Sequence, residues 1–137
     1  MQWTPTIILH AVAALGAVLT GPVALWARLG RRPRPLLHRA MGRTWVTLML
    51  LTAVSALGIR DYDWPNLAGF TALHLLVPYT LFGVAMALWQ LRQRRIAQHR
   101  QIMQQIYIGA CLVAGAFTLL PSRLLGQLLW SQWLGLV

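Results

Sequence analysis

Gly21-Pro-Val-Ala-Leu-Trp26 closes a long apolar run and leads through an arginine-rich turn to His38-Arg39. A near copy follows in the second half of the chain, where Gly83-Val-Ala-Met-Ala-Leu-Trp89 leads through another arginine-rich turn to His99-Arg100. Tryptophan is enriched where a helix leaves a membrane, and the charged turn at residues 30–35 contains two prolines, which cannot continue a helix. The chain is therefore predicted to contain two tandem helical hairpins.

The four histidines of the chain follow the same repeat. His10 lies 16 residues before Trp26, and His74 lies 15 residues before Trp89. Each hairpin thus has one histidine in its first helix and one at the start of its second helix. Polar groups at membrane depth are costly and usually functional, so the pattern predicts two pairs of ligands for a metal or a haem.

Apolar residues make up 58% of the 137 residues and charged residues only 10%, whereas a soluble domain has about 25% charged residues. The apolar residues form four runs, each close to the roughly 20 residues that cross a bilayer as a helix. We predict an all-α membrane protein: a four-transmembrane-helix bundle of two tandem hairpin repeats over residues 1–121, followed by a C-terminal interfacial helix over residues 122–137. The four runs are Thr4–Leu29, Leu37–Ile59, Leu67–Leu91 and Ile102–Leu120.

Turn signals and charges place the ends of these helices. In residues 122–137, polar side chains recur every four positions among leucines, which is typical of a helix lying on a membrane surface. The first helix is expected to end near Arg28, the second to run from His38 to Gly58, the third from Ala68 to Gln90 and the fourth from Gln98 to Pro121, with an outer loop at residues 60–66.

Ten of the twelve arginines lie in two connections, six between positions 28 and 43 and four between positions 92 and 100. Cytoplasmic connections of membrane proteins carry such an excess of basic residues. We therefore expect the inner membrane of a bacterium, with these connections in the cytoplasm and both termini in the periplasm. The arginines of these two connections account for the net charge of +10. The expected partner is therefore the lipid bilayer and not nucleic acid. The N-terminal run is too long for a signal peptide.

The tandem hairpins predict how the histidines meet. Related helices lie diagonally across a bundle with short connections, so His10 is expected to face His74, and His38 to face His99. The first pair lies near the outer boundary and the second at the inner mouth. At a rise of about 1.5 Å per residue, the two layers are on the order of 20 Å apart.

Two imidazoles per layer indicate which cofactor to expect. A structural zinc site needs four ligands, whereas two axial histidines complete the coordination of a haem iron and favour electron transfer. The sequence therefore predicts two haem b groups, or one, with His10, His74, His38 and His99 as iron ligands. Arginine pairs well with carboxylates, and the arginines expected to bind the haem propionates are Arg39, Arg43 and Arg100 in the inner layer and Arg123 in the outer layer.

Neighbouring polar residues are expected to support these ligands. Thr6 precedes His10 by four residues and Thr71 precedes His74 by three, so either threonine could bond a ring nitrogen. Pro78 is expected to kink the third helix near the outer layer. Near the inner mouth, Gln101, Gln104 and Gln105 could hydrogen-bond a quinone headgroup or belong to an interface.

The chain resembles a bacterial membrane family known as domain of unknown function 2306. The residues that carry the resemblance are His10, His38-Arg-Ala-Met-Gly-Arg43, His74, His99-Arg-Gln-Ile-Met103 and Pro121-Ser-Arg123, which span most of the chain. That family implies no assigned activity. The architecture is also similar to the cytochrome b561 family, which implies two b haems, one between the outer and one between the inner histidines. The flanking helices of its eukaryotic members and an ascorbate-site signature are missing here.

These observations predict a small dihaem b-type cytochrome that passes electrons across or within the membrane, between quinol or a cytoplasmic donor and a periplasmic acceptor. Its activity would be that of a cytochrome b561-like transmembrane oxidoreductase, with the redox chemistry in the haems and no catalytic side chain. Two other functions are compatible with the same residues. One is a non-catalytic accessory subunit of a larger membrane complex, with the C-terminal helix docking on a partner or on a second copy in a homodimer. The other is a histidine-lined ion or proton pathway.

Overall fold

The computed structural model describes residues 2–136, and the chain is mostly helical (75%). Two long helices are followed by a two-stranded hairpin and a 3₁₀ turn, and then by two further helical stretches. The bounds are α1 Pro5–Leu29, α2 Pro35–Ala56, β1 Asn66–Leu67, β2 Phe70–Thr71, the 3₁₀ turn Ala72–Leu75, α3 Leu76–Arg92 and α4 Ile96–Ile106. A π-helical segment, Tyr107–Val113, joins α4 to α5 (Ala114–Thr118), and the tail contains α6 (Leu124–Gln127) and a second π-helical segment, Leu128–Trp133.

Local signals set the starts of the first two helices. The Thr4 hydroxyl accepts a hydrogen bond from the Ile7 amide at 3.3 Å, and Pro5 takes the first helical position, where its missing N–H removes no helical bond. Pro35 opens α2 in the same way. This helix therefore begins one turn before the predicted start at His38.

The outer connection differs from the prediction. The third helix is expected to begin at Ala68, but Ala68 and Gly69 adopt positive φ angles of 53° and 83° and turn the chain. The side chain of Asn66 stabilises this turn by accepting a hydrogen bond from the Gly69 amide at 2.9 Å. The flanking residues pair as the antiparallel strands β1 and β2, so the chain is mostly helical rather than all-α.

Pro78 lies in the first turn of α3. The amides of a first turn have no partner within an α-helix, so this proline breaks no helical hydrogen bond. The irregularity that we predicted within the third helix is instead a change from 3₁₀ to α-helical geometry at its start.

The fourth helical stretch runs from Ile96 to Thr118 and begins two residues before the predicted Gln98. Its middle, Tyr107–Val113, is π-helical. Such a segment forms where an extra residue is inserted into an α-helix, and it often occurs near functional sites. The stretch ends before the predicted Pro121, and a turn then leads into the tail.

Helices α1 and α2 pack along each other, and α3 packs against α4. The two pairs meet where α2 contacts α3 and where α1 contacts the first π-helical segment. Small residues permit this approach, since a Cβ added to Gly21 would lie only 2.6 Å from the Tyr107 ring. The centre of the protein, called the core cluster, consists of the buried residues Ala17, Trp45, Met49, Val84, Ile106, Ala110 and Cys111.

Two helices are long and apolar enough to cross a membrane: Pro5–Leu29, with a mean hydropathy of 2.0, and Ala72–Arg92, with 1.6. Only 17% and 22% of their most apolar windows are buried, whereas the core helices of soluble proteins are mostly buried. The other two predicted spans are less regular. Arg39 and Arg43 interrupt the apolar character of α2, and the π-helical segment divides the fourth stretch.

The tail folds back on the end of the fourth helical stretch. The Trp130 indole N–H donates a hydrogen bond to the Leu119 carbonyl at 2.8 Å, and the buried Gly126 packs against the Leu120 backbone. The tail is helical over residues 124–133. Its position on a membrane surface stays a prediction.

Candidate functional site

The two inner histidines are anchored in the same way. His38 Nδ1 lies 2.7 Å from the Ala24 carbonyl oxygen, and His99 Nδ1 lies 2.8 Å from the Ala87 carbonyl oxygen. A carbonyl only accepts, so in each ring Nδ1 carries the hydrogen and Nε2 keeps its lone pair. Neither Nε2 has a hydrogen-bond partner within residues 2–136. Metal-binding histidines are commonly oriented by a bond of this kind.

Both inner histidines lie on the core-facing sides of their helices. Trp45 and Ile106 follow them by seven residues, which is nearly two turns along the same helix face. These two residues belong to the core cluster, whereas His38 and His99 are only partly buried. The structure therefore places His38 and His99 at one end of the same core.

The predicted inner counterions, Arg39, Arg43 and Arg100, are exposed near these histidines in sequence. Within residues 2–136 none of the three forms a salt bridge, because the two acidic residues, Asp61 and Asp63, lie in the outer connection. Their guanidinium groups can therefore bind phosphate or carboxylate groups of a lipid or a cofactor.

The outer histidine of α1 is held by α2. His10 Nδ1 lies 3.0 Å from both the Thr52 carbonyl oxygen and the Ser55 hydroxyl. The prediction that Thr6 bonds this ring is therefore wrong. The carbonyl fixes the hydrogen on Nδ1. Nε2 therefore keeps its lone pair, which no residue among 2–136 contacts as a hydrogen-bond donor.

His74 differs from the other three histidines because both of its ring nitrogens are used. Nδ1 accepts a hydrogen bond from the Thr71 amide at 3.0 Å, which forms a capping box at the start of the 3₁₀ turn. Nε2 then carries the ring hydrogen and donates it to the Ile59 carbonyl at 2.9 Å. Thr71 is thus a partner, as predicted, through its backbone amide and through its hydroxyl, which lies 3.4 Å from Nδ1. His74 would have to release Ile59 before it could bind a metal.

A cavity of about 260 Å³, called the outer cavity, lies between the helices and the tail. Its volume is slightly below the range of about 300–1,000 Å³ that is common for small-molecule sites. Most of its wall is apolar and comes from α1, α2, α3, the first π-helical segment and α5. The polar residues in the wall include both outer histidines, His10 and His74, together with Asp61, Thr80 and Arg123.

Arg123 and Asp61 form a buried ion pair in the wall of the outer cavity. Their side chains are 12% and 4% exposed, and Arg123 Nη1 donates to Asp61 Oδ2. Arg123 Nη2 is buried and has no acceptor within residues 2–136. The guanidinium also lies 4.7 Å from the centre of the Trp64 ring. The sequence contained a signal for Asp61, because only two acidic residues accompany twelve arginines.

Within residues 2–136, no three His, Cys, Asp or Glu side chains are grouped so that they could hold a metal ion. A haem needs only two protein ligands, fewer than such a group, because the porphyrin supplies four of the six positions on the iron.

The long apolar helices, with many large apolar side chains exposed along them, together with a family match, define the class of the molecule as a membrane protein. The chain belongs to the family described as predicted membrane protein (DUF2306), whose model matches residues 7–133. This match confirms the predicted family. No curated protein and no solved structure matches the chain. The similarity to the cytochrome b561 family is not shown and stays a prediction.

Proposed function

We propose that this chain is a small b-type haem protein of the membrane, with a haem held between the Nε2 atoms of His38 and His99. One observation carries the proposal: a carbonyl of the preceding helix fixes Nδ1 of each ring, and Nε2 is left free. Such a bond selects the tautomer and the orientation of a ligand before the metal arrives. Two imidazoles leave no open position on the iron, which favours electron transfer.

The proposal includes four membrane spans arranged as two hairpin repeats. Helix α2 packs along α1, and the fourth stretch packs along α3, so both would share the membrane with the two candidate spans. The histidine–carbonyl bond recurs in both hairpins, over 14 and 12 residues, which supports the repeat. The arginine-rich connections would then face the cytoplasm of a bacterium and both termini the periplasm.

The residues near His38 and His99 fit a haem. Gly42 lies one turn after His38, and a Cβ added to it would meet no atom within 4 Å. This open space suits a flat group beside the helix. When bound, the haem supplies a one-electron carrier. The two imidazoles would hold and orient the iron, and Arg39, Arg43 and Arg100 would neutralise the propionates.

A second haem in the outer layer is a separate part of the proposal. His10 offers a free Nε2, whereas Arg123 is already paired with Asp61 and is not free to act as the counterion of a propionate. His74 does not fit in this geometry, because its Nε2 is bonded to the Ile59 carbonyl. We therefore propose one haem in this conformation, and a dihaem form only if His74 turns away from Ile59. Quinol, a protein partner or a larger membrane complex would exchange electrons with the haem.

Purification in detergent, from cells supplied with a haem precursor, tests the proposal. We expect a Soret band, a reduced spectrum of low-spin bis-histidine iron, and one haem per chain in a pyridine haemochrome assay. His38→Ala and His99→Ala should each abolish this stoichiometric haem. Gln101→Ala is the matched control, because Gln101 is exposed on the same helix as His99, and it should retain the haem.

A methionine substitution separates ligation from a purely structural role. His99→Met should shift the reduced spectrum, because a methionine ligand changes the electronic state and potential of the iron, whereas a structural histidine would give no such shift. An accessory subunit or an ion pathway would yield folded protein without haem. Full haem content in both alanine variants would refute the assignment of the ligands.

A further inference from the structure

The outer cavity contains two hydrogen-bonding atoms that no residue among 2–136 satisfies. On α1, His10 Nε2 has a free lone pair, because Nδ1 carries the ring hydrogen. In the segment after α5, Arg123 Nη2 is buried and has no acceptor. Buried polar groups are nearly always paired, and an unpaired one calls for an explanation such as a missing ligand. This rule applies to the buried Nη2 of Arg123; because His10 lines the same cavity, one molecule can accept from Nη2 and donate to the free Nε2.

These two atoms have opposite requirements. A neutral imidazole Nε2 accepts a hydrogen bond, and a guanidinium nitrogen donates one. They also come from different elements, because His10 belongs to α1 and Arg123 to the segment between α5 and α6. A ligand that satisfies both must therefore carry a donor and an acceptor at two separate points of its head group.

The charge of the cavity wall favours a neutral head group. The Asp61 carboxylate binds Nη1 of the same guanidinium whose Nη2 is free, so the charge of Arg123 is already compensated. A second carboxylate at Nη2 would lie near Asp61 and be repelled, strongly so away from water. A carbonyl or hydroxyl oxygen makes the same hydrogen bond without this repulsion.

The shape and surroundings of the cavity favour a flat ring. Small residues contribute much of its apolar wall, which suits a planar group lying between helices. Because the wall includes α1 and α3, which are candidate membrane spans, a ligand would arrive from the lipid. A fatty acid or a sterol has one polar end, whereas a quinol or quinone ring carries oxygens at two edges. The small residues include Ala11, Ala14, Ala53, Ala114 and Gly115.

We propose that the outer cavity binds a membrane quinol, with one ring hydroxyl donating to His10 Nε2 and the opposite hydroxyl oxygen accepting from Arg123 Nη2. This inference rests on the proposed function in one respect, because it requires that a second haem does not fill the cavity. It names the class of lipid-soluble molecule that would exchange electrons with the inner haem.

Calorimetric titration of the dithionite-reduced, haem-loaded full-length protein in detergent with ubiquinol-1 tests the inference. His10→Ala should weaken binding by roughly tenfold, because one hydrogen bond is lost. Gly115→Leu should abolish binding and leave the haem unchanged, because Gly115 lines the cavity and a Cβ there would meet no atom within 4 Å. Gly42→Leu is the matched control: it also adds bulk in open space, but it should reduce haem content and leave quinol binding unchanged.

Equal affinities of the wild type and Gly115→Leu for ubiquinol-1 would overturn the inference, and so would two haems per chain with no quinol bound. Palmitate that competes as strongly as ubiquinol-1 would overturn the assignment of a neutral head group. Quinol binding by protein that takes up no haem would refute the proposed function and leave this inference standing. Haem at the inner site without quinol binding would overturn this inference and leave the proposed function standing.

Discussion

Removal of the Asp61 carboxylate should strongly destabilise the protein. The Asp61 side chain is 4% exposed and that of its partner Arg123 is 12% exposed, so the ion pair is shielded from water. Asp61→Ala leaves the guanidinium buried without its anion, and the loss of one partner from a buried ion pair costs about 3–5 kcal/mol. The substitution also removes the acceptor of the Asp63 amide, which lies 3.0 Å from Asp61 Oδ1. We therefore expect the free energy of unfolding to fall by roughly 3–5 kcal/mol.

Equilibrium unfolding in mixed micelles with increasing SDS, followed by far-ultraviolet circular dichroism, measures this change. Asp63→Ala is the control, because Asp63 is exposed, and it should change the free energy of unfolding by no more than about 0.5 kcal/mol. A double-mutant cycle with Arg123→Ala should give a coupling energy of roughly 2–3 kcal/mol. An unpaired buried charge costs several kcal/mol. If the free energies of unfolding of Asp61→Ala and Asp63→Ala differ by less than about 1 kcal/mol, the inference from the burial of this ion pair is refuted.

Three further predictions concern packing and the haem. Gly21→Ala should lower the free energy of unfolding by about 1–3 kcal/mol in the same assay, because its methyl would lie 2.6 Å from the Tyr107 ring. Gly115→Ala is the control at an open position, and it should leave the free energy of unfolding unchanged or raise it by up to about 1 kcal/mol. Tyr107→Phe should cost about 1 kcal/mol, because it removes the 2.9 Å hydrogen bond from the hydroxyl to the Val18 carbonyl. Gly42→Leu should lower the haem content per chain while the unfolding curve stays in place, and unchanged haem content would contradict the proposed haem position.

The helices could be predicted from the sequence because the signals that form and end them are local. An apolar run, a proline at the first position and a charged turn act within a few residues, as at Pro5 and Pro35. The outer hairpin was not predicted: a loop is expected over residues 60–66 and a helix from Ala68, whereas the hairpin at residues 66–71 depends on several contacts that form together. Asn66 accepts from the Gly69 amide, and Ala68 takes a positive φ that alanine rarely adopts alone. The pattern of apolar residues does not predict such a turn.

For the site, the sequence predicts a depth for each histidine but not the partners of the rings. His10 bonds to Thr52 on another helix, and His74 bonds to Ile59 across the outer connection. Such contacts depend on how helices are rotated and packed against each other, which a single sequence does not specify. The same limit explains why Arg123 was predicted as a haem counterion, whereas the structure pairs it with Asp61.

The π-helical segment Tyr107–Val113 lies between the inner histidine of the fourth helical stretch and the residues of that stretch that line the outer cavity. One extra residue in a helix turns all that follows by about 100° relative to all that precedes it. His99 lies before the segment, whereas Gly115 and Thr118, in the wall of the outer cavity, lie after it. Insertion or deletion of a single residue in this segment would therefore rotate Gly115 and Thr118 relative to His99. The wall of the outer cavity can thus change in relatives while the position of the inner imidazole is kept.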